Sequence, residues 1–99
     1  MKQNRSKMKS TLLSLRKEID GIDKRLLNLI SKRVKIVKKV ARYKRTNQLK
    51  IAHPKREKEV LNRLKKDAKK KKINKKLIEL IFKNIIKYSK QIQKKEMQK

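Results

Sequence analysis

The chain has 99 residues, enough for one modest core, and 35 Lys and Arg stand against 8 Asp and Glu, a formal charge of +27. Cysteine is absent, which excludes disulfides and thiolate metal sites, and a single histidine cannot build a metal cluster. No apolar run approaches the length of a membrane span, and the apolar patch after the basic opening "MKQNRSKMKS" is too short for a signal segment, so a soluble cytoplasmic protein is expected.

Charge of this sign attracts any acidic partner, whether nucleic acid, anionic membrane or a small polyanionic metabolite. Lysine outnumbers arginine 27 to 8. Usage so weighted towards Lys, Ile and Asn suits A+T-rich coding, so much of the charge can be compositional rather than a dedicated polyanion surface.

One glycine and one proline leave few breakers, and the apolar spacing is helical nearly throughout. From Leu12 the apolar positions run through Leu15, Ile19, Ile22, Leu26 and Leu29. After Arg33 the line continues with Ile36 or Val37, then Val40 and Tyr43. Steps of four and three make this a heptad-like stripe, with Gly21 its weak point. A first helix over about residues 6–45 is expected, then a loop, "RTNQLKIAH". Pro54 suits the first turn of a second helix, about 54–67, with Val60, Leu61 and Leu64 on its inner face. "KKDAKKKKINKK" reads as a basic connector, and a third helix, about 73–96, carries Leu77, Ile78, Ile81, Phe82, Ile85, Tyr88 and Ile92.

A first helix of roughly 35 to 40 residues extends about 55 to 60 Å. A compact chain of this size has a radius of gyration near 13 Å. The short second helix and the third, about half the first in length, cannot cover that stripe. An all-α, intertwined homodimer of three-helix chains, each a single domain over 1–99, is therefore expected.

Several polar residues interrupt the apolar faces. Arg33 continues the stripe of Leu26 and Leu29. Lys44 lies eleven residues, three turns, further on, about 16 Å along the axis, so it points the same way and the two side chains frame a gap for a small anion. Arg16 is turned about 100° away from Arg33 and could face a pocket of a partner chain. Glu57 shares the stripe of Val60, Leu61 and Leu64, while Ser89 and Gln93 continue the face of Phe82 and Ile85. A polar group on a buried face needs a partner, either another residue or a ligand. Plainer readings stand beside this one: Arg33 snorkelling or paired with Glu57, Lys44 offsetting the helix dipole, Ser89 a tolerated small residue. Together the set suits a ligand with two carboxylates, a hydroxyl and a further oxygen acceptor.

At these residues the sequence resembles the all-helical, AroQ-type chorismate mutases, without a gap from about Leu12 to Gln93. The segments are "LLSLRKEIDGIDKRLLNLISKRVKIVKKVARYK", "PKREKEVLNRL" and "LIFKNIIKYSKQIQ". The family's leucine-arginine and Ile-Asp repeats correspond to Leu15-Arg16, Ile19-Asp20 and Ile22-Asp23. Its next arginine corresponds to Arg33 and the lysine closing the first helix to Lys44. Its Arg-Glu pair is met by Arg56-Glu57, and its Ser and Gln by Ser89 and Gln93. One position departs: His53 stands where the family usually has an acid before the proline, and histidine is expected to be the poorer helix cap.

The resemblance implies conversion of chorismate to prephenate in aromatic amino acid biosynthesis, with no cofactor and no metal. Arg33, and Arg16 donated by the other subunit of a homodimer, would clamp the carboxylates. Lys44 and Gln93 would donate to the breaking ether oxygen, and Glu57 would accept from the ring hydroxyl. Arg56 would position that region, with Ser89 assisting one carboxylate. Lys44, Gln93, Arg33 and Glu57 are thus the expected catalytic residues; Arg16, Arg56 and Ser89 complete the binding set. No second domain with a fused activity is expected. An isochorismate-pyruvate lyase shares the fold, but Glu57 and Ser89 argue against it. A basic helical nucleic-acid-binding protein is the alternative from another class. Three aromatics and no reading motif argue against specific nucleic-acid recognition, though salt-sensitive nonspecific binding is expected.

Overall fold

The computed structural model describes residues 2–99, with side chains from residue 10 onward, so most of the basic opening segment lies outside the described side chains. The described chain is all-helical: α1 is Lys2–Thr46, α2 is Pro54–Lys70 and α3 is Lys75–Met97. No helix among the described residues is long and apolar enough to cross a membrane. The chain divides into two compact units, one ending at Arg33 and one running from Val34 to Lys99, and α1 passes through the boundary.

The N-terminal unit is the first part of α1. Its large apolar residues from Leu12 to Ile30 are each 48–66% exposed. The helix there has an apolar stripe but nothing in its own unit to bury it.

In the second unit α1 turns a different line inward. The stripe read from the sequence continues through Ile36, Val40 and Tyr43, and all three are exposed. The covered line is Val34, Val37, Ala41 and Lys44, with Ala41 at 0% exposure. One residue of offset is 100° of rotation, so α1 carries two neighbouring apolar faces. Of the two sequence alternatives at that step, Val37 is the buried residue and Ile36 the exposed one.

α2 and α3 form an antiparallel hairpin. Val60, Leu61, Leu64 and the buried Ala68 line α2, facing half-buried Ile78, Phe82, Ile85 and Ile92 on α3. The buried line of α3 then turns polar: Ser89, Gln93 and Glu96 are all buried. Glu96 is tied to α1 through Arg42 Nε at 3.1 Å and to Lys99 Nζ at 3.3 Å. Burial opposes ionisation of Glu96, but the hydrogen bonds from Arg42 and Lys99 outweigh it and hold the carboxyl below its usual range.

Helix ends follow local chemistry. The segment read as a basic connector is largely helix. α2 continues to Lys70 because lysine is a good helix former and cations suit a helix C-terminus. Its stop is a Schellman turn: Ile73 N–H donates to Ala68 O at 2.8 Å and Lys72 N–H to Lys69 O at 3.2 Å. Lys72 occupies the left-handed region, φ 59°, where glycine is usual. α3 begins at Lys75 because Asn74 Oδ1 accepts from Lys76 N–H at 2.8 Å and Leu77 N–H at 3.2 Å, placing the cap one residue after the expected start. Relieving the strained position should be measurable. Lys72→Gly is expected to stabilise the fold by about 1 kcal/mol, read as a higher Tm at fixed protein concentration. A lower Tm would mean that the lysine side chain contributes more than its backbone costs.

Candidate active site

The end of α1, the start of α2 and the last turns of α3 meet through polar side chains. α1 closes with the same turn as α2: Leu49 N–H donates to Lys44 O at 2.7 Å, Gln48 N–H to Arg45 O at 3.2 Å, and Gln48 sits at φ 54°. The loop then returns past the side chain of Lys44, whose Nζ donates to Ile51 O at 2.7 Å. The same ammonium donates to Gln93 Oε1 at 2.9 Å. Lys44 is half-buried and Gln93 is buried.

Two consequences follow from these bonds. A lysine ammonium has three donors, and the loop carbonyl and the amide oxygen use two. Because Gln93 accepts through Oε1, its NH2 group is left as the donating end. Burial lowers the Lys44 ammonium below the ordinary lysine value of 10.5, and the nearby Glu57 carboxylate partly restores it. The ammonium is thus a partly desolvated cation aimed by two fixed acceptors.

Glu57 lies in the first turn of α2, where negative charge suits the helix dipole. Its Oε1 is 2.9 Å from Lys90 Nζ. α2 is started by His53, whose Nδ1 accepts from Arg56 N–H at 3.1 Å, with Pro54 following in the first helical position. Histidine therefore does serve as the cap, in a tautomer that keeps Nδ1 unprotonated. The Arg56 residue is exposed.

Ser89 is buried one turn before Gln93, and its hydroxyl donates to Ile85 O at 2.7 Å. Of the residues expected from the sequence, the structure thus connects Lys44, Gln93 and Glu57, with Ser89 on the same buried line of α3. Arg16 and Arg33 belong to the N-terminal unit and are exposed on its helix. Lys90 was not singled out by sequence reasoning. The available signal was its place beside Ser89 and three residues before Gln93, one helical turn of the same face.

No group of three or more His, Cys, Asp or Glu that could hold a metal occurs among the described residues. Three helices thus bring a lysine, a glutamine and a glutamate together in an all-helical cluster. The chain belongs to the family described as chorismate mutase type II, whose model matches residues 15–94. It is similar to a bifunctional chorismate mutase/prephenate dehydratase of Buchnera aphidicola, at 40% identity over 91 residues. That match covers 92% of this chain and 24% of the relative, so the chain spans about a quarter of that protein's length. It is also similar to a chorismate mutase of Methanocaldococcus jannaschii, at 33% identity over 87 residues, 88% of each chain.

Proposed function

We propose that this chain is a chorismate mutase acting in the cytoplasm in aromatic amino acid biosynthesis, rearranging chorismate to prephenate as an intertwined homodimer. The observation that carries the reading is the Lys44 ammonium held between Ile51 O and Gln93 Oε1, with one donor to spare beside the amide NH2 of Gln93. Two donors side by side suit one oxygen that gains negative charge.

The reaction breaks an ether C–O bond and forms a C–C bond in one cyclic movement of electrons. It requires no nucleophile and no proton transfer. The protein's work is to fold a flexible dianion into its reactive shape and to stabilise charge on the ether oxygen. Arg33, with Arg16 of the second subunit, holds the carboxylates. Lys44 and Gln93 donate to the ether oxygen, and their contact strengthens as the bond breaks. Glu57 accepts from the ring hydroxyl, Arg56 supports that end of α2, and Ser89 assists one carboxylate.

The dimer is supported by the exposed stripe of α1. A row of half-exposed Leu and Ile along this helix is an apolar surface that a monomer would leave wet. A second copy of α1 matches it in length and spacing, and a two-fold arrangement gives two equivalent sites.

The test is a chorismate assay on the purified chain, following loss of substrate absorbance and identifying the product, with mass by light scattering alongside. Prephenate formed above the uncatalysed rate by a dimer is the expected result. Release of pyruvate from isochorismate with no turnover of chorismate would replace the reading with the lyase. A monomer with full activity would remove the shared site.

A further inference from the structure

We propose that Lys90 belongs to the substrate site: paired with Glu57, its ammonium masks the carboxylate's charge and so admits a dianionic substrate past an acid. This rests on the mutase reading and adds a residue that reading does not use.

The electrostatic problem is local. Glu57 is wanted at the site as an acceptor for a hydroxyl, yet its full negative charge repels a ligand that carries two of its own. Lys44, a cation of the expected set that feels the Glu57 charge, already donates to Ile51 O and Gln93 Oε1. Lys90 Nζ lies 2.9 Å from Glu57 Oε1, with the side chains 40% and 25% exposed. The pair is therefore only partly screened by solvent.

The pairing also leaves Glu57 able to work. Lys90 engages Oε1, whereas Glu96 has both carboxylate oxygens in ion pairs, one with Arg42 and one with Lys99. Glu57 Oε2 can still accept from a hydroxyl. Sequence position agrees: Lys90 follows Ser89 and precedes Gln93 by three, so its backbone is fixed by the same turns of α3 that carry the expected contacts. A lysine here is a specificity device, because masking matters for a dianion and much less for a ligand with fewer charges.

Substrate and transition state carry the same net charge and the same hydroxyl, so the masking term is uniform. Its loss should appear in KM and hardly in kcat. Lys90→Met is expected to raise KM about tenfold with kcat within about twofold, and the difference should shrink as salt is raised. Lys90→Arg should keep KM near that of the wild type. In the Glu57→Gln background there is no charge to mask, so adding Lys90→Met should change KM by less than about threefold.

Wild-type turnover of chorismate is measured first, since its absence removes the mutase reading and this inference with it. With the wild type active, an unchanged KM in Lys90→Met overturns the masking role alone. So does an equal loss in both backgrounds, or a fall in Tm without a kinetic change. Should Lys90→Met fold poorly by circular dichroism, Lys90→Gln carries the same comparison.

Discussion

Replacement of Lys44 by methionine is expected to lower kcat by about 10²–10³-fold while KM moves little. This is the scale for removing one preorganised donor to a developing oxyanion. The ether oxygen is nearly neutral in bound substrate and acquires charge only as the C–O bond breaks. A donor aimed at it therefore acts on the transition state more than on binding. Lys44 is suited to this because its direction is set by Ile51 O and Gln93 Oε1 before substrate arrives. Steady-state kinetics decides the matter, with circular dichroism to show that the helices remain. A loss confined to KM would contradict a transition-state role.

In the proposed mechanism the same residue is expected to set the alkaline side of the pH profile. Burial lowers the Lys44 ammonium relative to an ordinary lysine, against the raising effect of Glu57. Donation requires the protonated form, so kcat/KM, which reports the free enzyme, should fall on the alkaline side through a limb placed below 10.5. Gln93 does not titrate, so its amide adds no acid limb. Lys44→Arg should shift the alkaline limb upward, because guanidinium keeps its proton.

The helical class was legible because α1, α2 and α3 each keep a 3.6-residue apolar spacing, and because Pro54 marks the first turn of α2. Which face of α1 each neighbour covers was not. Val34, Val37 and Ala41 lie beside the Ile36–Val40–Tyr43 stripe, and periodicity alone does not rank two adjacent apolar lines on one helix. The reach of α2 through its lysine run was hidden because a charge block resembles a linker in composition while lysine favours helix in fact. His53 still caps α2, because a ring nitrogen can accept the hydrogen bond that a carboxylate would. At the site, Lys44 and Gln93 stood out as polar interruptions of apolar faces. Lys90 did not, since its place three residues before Gln93 is a faint signal for one lysine among 27 until Glu57 is found beside it.

Arg33 offers the sharpest test of the remaining set. Arg33→Ala is expected to lower kcat/KM by about 10²–10⁴-fold, the range for deleting one partner of a hydrogen-bonded charge pair in a water-poor site. Its guanidinium can meet a carboxylate with two parallel N–H donors, which fixes the substrate's orientation as well as its charge. Arg33→Lys should recover only part of the loss, because an ammonium keeps the charge but not the fork. Arg33 is exposed in the single chain, and alanine is the better helix former. The helical signal and the mass of the proposed dimer should therefore survive the change expected to remove turnover. Unchanged kinetics would remove Arg33 from the site. A monomer whose activity and Tm fall together would instead make Arg33 an interface residue, and the apolar stripe it interrupts would then have to hold the two chains together through that cation.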